Sequence, residues 1–138
     1  GSTGSATIVK IYENVKGTFT EDQTASSNIT GVSESSVSWG DYDNDGDGDI
    51  LLSGNTGSSF FTKLYKNTSG NFSNSGVSFT GVRNGSSQWG DYDSDGDLDI
   101  IITGDDGSSK TAKIYPYEKN IVHKSEISMP DFILFLKI

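Results

Sequence analysis

Trp39 to Ile50 reads WGDYDNDGDGDI, and Trp89 to Ile100, fifty residues on, reads WGDYDSDGDLDI. Aspartates stand at alternate positions: Asp41, Asp43, Asp45, Asp47 and Asp49 in the first string, Asp91, Asp93, Asp95, Asp97 and Asp99 in the second. Five carboxylates this close repel one another unless a cation sits among them. Counted from Asp41 the pattern is D-x-D-x-D-G-x-x-D with Gly46 sixth, and from Asp91 it recurs with Gly96. Oxygen ligands at positions 1, 3 and 5, glycine at 6 for the sharp turn and a carbonyl at 7 are how a loop wraps calcium. Calcium is a hard cation that takes oxygens, and the loops supply nothing softer. An EF-hand would carry its last acid at position 12, between helices. Here the last acid comes at position 9 and runs directly into Ile50-Leu51-Leu52 or Ile100-Ile101-Ile102, so each loop joins two strands. A solvated acidic hairpin tip is the plain reading of one such loop. Two in phase, each keeping every odd-position aspartate, point to two calcium ions per chain.

The strings are part of a longer repeat. TKLYKN at Thr62–Asn67 is echoed upstream by VKIYEN at Val9–Asn14 and downstream by AKIYPYEKN from Ala112. GNFS at Gly70–Ser73 is echoed by GTFT at Gly17–Thr20. One unit is thus a Trp–Asp string, an aliphatic strand, a Leu/Ile-Tyr strand and a Gly-Phe strand. Each element is short and β-compatible, and the connections are rich in Gly, Ser and Asn. Helical apolar spacing is missing. The fold class is therefore all-β, and four antiparallel strands per ~50 residues is the period of a β-propeller blade. The units divide the chain into a partial blade over 6–32, a full blade over 33–82 and a partial blade over 83–117. Residues 1–5, GSTGS, read as a cloning scar or linker, and 118–138 as a tail that is a strand or short helix at an interface.

The bulk numbers agree with this reading. The 138 residues suffice for one ordinary domain; 32% are hydrophobic and 17 are glycine, which favours short strands and turns. The net charge of −9 is local: the ten loop aspartates are over half of the 19 acids, and the remaining acids nearly balance ten Lys and Arg. An acidic chain with scattered basic residues does not suit nucleic acid. With no cysteine, disulfides, thiolate metal sites and cysteine nucleophiles are excluded. No apolar run of ~18 residues is present to span a membrane. His123 lies outside the repeats, and the aspartate pairs sit in the loops, where ionised ligands suit proton transfer poorly. The expectation is a protein that is not an enzyme. Trp39 and Trp89 could serve as ligand platforms, but their fixed place before each loop suits packing between blades better.

The segments WGDYDNDGDGDILLSG and WGDYDSDGDLDIIITG resemble FG-GAP/VCBS-type repeats, the blades of integrin-α-like propellers and of many secreted bacterial proteins. The resemblance extends over residues 7–117. It implies side-chain ligation by Asp41, Asp43, Asp45 and Asp49 with the Asp47 carbonyl, and by Asp91, Asp93, Asp95 and Asp99 with the Asp97 carbonyl. Propellers of this family carry about seven blades in one chain, whereas this chain holds little more than two.

These readings combine into an expected function: an extracellular or secreted, calcium-stabilised propeller module that binds a protein or glycan. The alternative is an accessory or catalytic domain of a polysaccharide-active enzyme. Extracellular calcium would fill loops of even modest affinity. The strand inventory of two, four and three leaves an incomplete unit at each flank. A head-to-tail cyclic homo-oligomer would complete them, three copies being the favoured number and two the alternative. The apolar run Phe132–Leu136 would be buried against the chain or a neighbour, and Ser128, Pro130 and Asp131 resemble a helix start.

Overall fold

The computed structural model describes residues 7–117 and the two-residue strand Ile127–Ser128. The Gly1–Ser5 string, His123 and the run Phe132–Leu136 lie outside the described residues. The described residues form three antiparallel sheets and one short helix. Strands β1 (Ile11–Val15) and β2 (Thr18–Asp22) make a hairpin followed by α1 (Gln23–Ser27). The second sheet runs β3 (Ser33–Gly40), β4 (Asp49–Asn55), β5 (Phe60–Thr68), β6 (Asn71–Asn74), each strand beside its sequence neighbour. The third is β7 (Arg83–Gly90), β8 (Asp99–Asp105), β9 (Lys110–Tyr115) and β10 (Ile127–Ser128). No helix among the described residues is long and apolar enough to cross a membrane.

Turn chemistry fixes the hairpins. Lys16–Gly17 and Ser69–Gly70 are two-residue connections with positive φ at both positions, the mirror-image turn whose twist matches its strands. In each, an asparagine side chain, Asn14 or Asn67, accepts the glycine N–H at 2.8 Å.

The middle sheet is the hub because its strands are apolar on both faces. Alternation along β4 sends Ile50 and Leu52 to one side and Leu51 to the other. Alternation along β5 does the same with Tyr65 and Leu64. The first layer joins Ile50, Leu52, Phe61, Tyr65 and Phe72 to Ala25, Ile29 and Val32, with Val9 and Ile11 packed on it. The second joins Leu51 and Leu64 to Val82, Ile100, Ile102 and Tyr115, with Phe79 and Trp89 alongside. The two layers share details. The Thr30 N–H donates to the Tyr65 hydroxyl at 3.0 Å, and the Thr80 N–H to the Tyr115 hydroxyl at 2.9 Å. A Cβ on Gly31 would come within 2.4 Å of the Thr7 carbonyl oxygen, and one on Gly81 within 2.4 Å of that of Phe60. Sheet one therefore sits on sheet two as sheet two sits on sheet three.

Two features differ from the sequence reading, and a third decides between its alternatives. The turn of helix α1 was not expected from a Ser/Thr-rich stretch; Asp22 caps it by accepting the Ala25 N–H at 2.9 Å, and Ala25 is buried in the first layer. The tail takes the strand form of its two expected forms and gives the third unit a fourth strand. Ile127 pairs with Ile114 and Ser128 with Lys113, which uses the open ladder edge of β9 and places Ser128 in a strand, not a helix start. Trp39, expected in packing between blades, is 56% exposed and meets Phe72 of its own sheet edge-on at 5.9 Å, while Val9 and Ile11 are the residues from the first hairpin side that pack on the first layer.

Leu51 is fully buried between sheets two and three, so Leu51→Ala should lower stability by about 2–5 kcal/mol. Val37→Ala, at an exposed position of β3, should change it by about 0.5 kcal/mol or less. Urea unfolding monitored by tryptophan fluorescence compares the two; equal losses would mean that the stacked layers are not the core.

Candidate metal centre

The Asp41 and Asp91 loops connect β3 to β4 and β7 to β8, and the ladders close on them at Gly40–Asp49 and Gly90–Asp99. Their backbones superpose in conformation: φ is 56° at Asn44 and 62° at Ser94, and 93° at both Gly46 and Gly96. The side chains curl the loops from within. Asp41 accepts the N–H groups of Asp45 at 3.0 Å and Gly46 at 2.9 Å; Asp91 accepts those of Asp95 and Gly96, both at 3.1 Å. Asp45 accepts the Asp47 N–H at 3.0 Å, and Asp95 that of Asp97 at 2.9 Å.

Asp49 and Asp99 close the loops and are fully buried. Asp49 Oδ2 accepts the Tyr42 N–H at 2.9 Å and Oδ1 the Asn67 N–H at 2.7 Å, tying the loop to β5. Asp99 does the same with Tyr92 at 2.5 Å and Tyr117 at 2.8 Å. Burial pushes both carboxyls above the usual range, the two backbone N–H donors on each hold it down, and the neighbouring loop aspartates push it up again.

Ligand oxygens of Asp41, Asp43 and Asp49 lie within 4.8 Å of one another, as do those of Asp91, Asp93 and Asp99. Calcium–oxygen bonds of about 2.3–2.6 Å place opposite ligands about 5 Å apart, so this spread is that of one coordination sphere. Asp43 Oδ1 is buried with no hydrogen-bond partner, a charged oxygen oriented for a cation. The donor set, all oxygen, fits calcium. Asp45, expected as a side-chain ligand, stands outside the converging trio, and Asp95 outside the second. Asp45 is drawn off by the Asp47 N–H and by Lys66 at 3.2 Å, which hold its carboxyl below the usual range. Asp47 and Asp97 spend their side chains elsewhere. Asp47 accepts the Ser69 N–H at 2.7 Å, and Asp97 accepts from the Asn44 amide at 3.0 Å, which links the two loops.

The aspartate pattern gave no sign of Lys66. Its ammonium bonds to Asp43 as well as Asp45, and both raise its pKa. The signal was present in the third-strand echo, because the residue after the tyrosine lies one ladder step beyond the Ile50–Tyr65 pair, opposite Asp49. Tyr42 is not an exposed loop residue: it packs on the second layer, edge-on to Tyr117 at 5.1 Å. Tyr92 is 40% exposed. Trp89 lies over Gly40, where an added Cβ would meet its ring at 2.8 Å.

No protein-family model, curated protein or solved structure matches this chain.

Asp41 and Asp49 hold the loop as well as offering oxygens to a cation, whereas Asp43 Oδ1 takes no part in holding it. In chelator, Asp49→Asn should lower stability by about 1–3 kcal/mol, because its amide turns a donor toward a buried N–H. Asp43→Asn, which weakens the part-exposed contact with Lys66, should cost less, about 1 kcal/mol or below in chelator, yet abolish cation binding by that loop. Melting curves with and without calcium check both; identical behaviour of the two variants in chelator would remove the distinction.

Proposed function

We propose that the chain is a calcium-stabilised segment of an FG-GAP/VCBS-type β-propeller, in which each sheet is a blade or part of one. It acts without catalysis, outside the cell, as a binding module for a protein or glycan. One observation carries the reading: two loops, in the same place on successive stacked sheets, each gather three carboxylate oxygens within 4.8 Å on the same scaffold of backbone N–H groups. A cation there offsets the repulsion among the carboxylates and pins the strand pair that the loop joins. Millimolar extracellular calcium is the setting in which such loops stay filled.

The flanks support completion of the ring by further blades, here supplied by copies of the chain. Trp89 covers Gly40 between sheets two and three, whereas the equivalent Trp39 is exposed and the equivalent Gly90 has nothing within 4 Å of an added Cβ. Each flank thus carries half of a contact that the chain makes once internally. Three copies remain the favoured assembly and two the alternative. The fourth strand already present in sheet three means that a neighbour would have to supply inner strands beside β1, not an outer strand beside β9.

Calorimetric titration should find two calcium ions per chain, and calcium should raise the melting temperature clearly over chelator. Light scattering in calcium should give a mass three times, or twice, that of the 14.8 kDa chain, and Trp39→Ala should reduce it to one. Absence of calcium binding would overturn the loop assignment. A monomer that Trp39→Ala leaves unchanged would overturn the assembly alone.

A further inference from the structure

The two loops are built alike, yet the third strand sets a different residue beside each. The third strands read Tyr12-Glu13, Tyr65-Lys66 and Tyr115-Pro116. Ladder register places Lys66 opposite Asp49 and Pro116 opposite Asp99, one step beyond the Ile50–Tyr65 and Ile100–Tyr115 pairs. At the first loop the Lys66 ammonium lies against Asp43 Oδ2 and 3.2 Å from Asp45 Oδ2. At the second loop proline offers no charge and no donor.

Resting on the calcium reading above, we infer that Lys66 is a tethered competitor for the cation of the first loop, so that the two loops fill at different calcium concentrations, the second first. An ammonium among carboxylates already offsets part of the repulsion that makes a divalent ion welcome. The ion must displace it from Asp43, and also meets its positive charge nearby. The displacement is feasible because the Lys66 side chain is 36% exposed at its end of β5 and has water to swing into. Lys66 also lies against Asp45, which stands outside the trio just as Asp95 does in the second loop. The same contact keeps this loop ordered when calcium is scarce, a role nothing fills at position 116.

The test uses calcium alone, titrated calorimetrically into the full chain. Wild type should show two sites whose affinities differ on the order of tenfold, as expected for one charge at a part-exposed position. Asp93→Asn leaves the first loop to be measured alone; adding Lys66→Met to it should tighten binding about tenfold, and Lys66→Arg should not. On an Asp43→Asn background, which leaves the second loop, Lys66→Met should change nothing. A readout without calcium accompanies these: in chelator, Lys66→Met should lower the melting temperature, since Asp43 and Asp45 lose their counter-charge. Equal affinities at the two loops, unmoved by Lys66→Met, would overturn the competitor role while leaving calcium binding intact. No calcium binding at either loop would overturn the calcium reading and this role with it.

Discussion

A buried carboxylate that accepts two backbone N–H groups from opposite sides is the contact on which each loop depends. Asp49 has no exposed surface, yet it receives the amide of Tyr42 from its own loop and that of Asn67 from the strand beyond. Burying a charge costs heavily unless its lone pairs are met, and here donors fixed by the ladder meet them. The result joins three pieces that would otherwise move apart: the start of the loop, the start of β4 and the end of β5. Asp99 repeats the arrangement with Tyr92 and Tyr117. Asp41 and Asp43 converge on Asp49 within that frame, as Asp91 and Asp93 do on Asp99.

Around that frame, the stacking follows from the two-residue period of a strand. Apolar runs such as Ile50-Leu51-Leu52 have no polar face to give to water, so they demand a partner sheet on each side. The chain meets the demand on both sides of its middle sheet, with an equivalent tyrosine hydroxyl, Tyr65 in one layer and Tyr115 in the other, taking an N–H from the connecting segment. Arg83 ties the layers at one end, placed over the Phe60 ring at 4.5 Å and near Glu34 and Asp105.

Much of this was legible in the sequence. The all-β class, the strand order within each unit and the loop position followed from spacing alone, because turns, alternation and the Asp-Gly pattern are local signals. What sequence missed depends on contacts between distant segments. That Lys66 reaches Asp43 and Asp45, that Trp39 lies open while Trp89 is covered, and which of its two forms the tail takes at Ile127–Ser128 are set by which strand lies alongside. The α1 turn escaped because a single capping aspartate and one buried alanine outweigh the poor helix propensity of its serines and threonine.

The seam between sheets two and three is uneven in thickness. Along β3 and β7, up to the Trp89–Gly40 contact at the loop end, it is made of hydroxyls: Ser38 donates to the Ser87 carbonyl at 3.0 Å, the Ser87 N–H to Ser36 at 3.2 Å, and the Ser87 hydroxyl to that of Ser53 at 2.9 Å. Toward β9 the same seam holds Phe79 edge-on to Tyr115 at 5.1 Å. A filling thin at one margin and thick at the other is a wedge, and sheets separated by wedges fan out like the pages of a half-open book. The angle between successive pages is then written into residue size, with serines setting the spine and aromatic rings the fore-edge. Enlarging a spine serine would flatten the fan; trimming a fore-edge ring would tighten it.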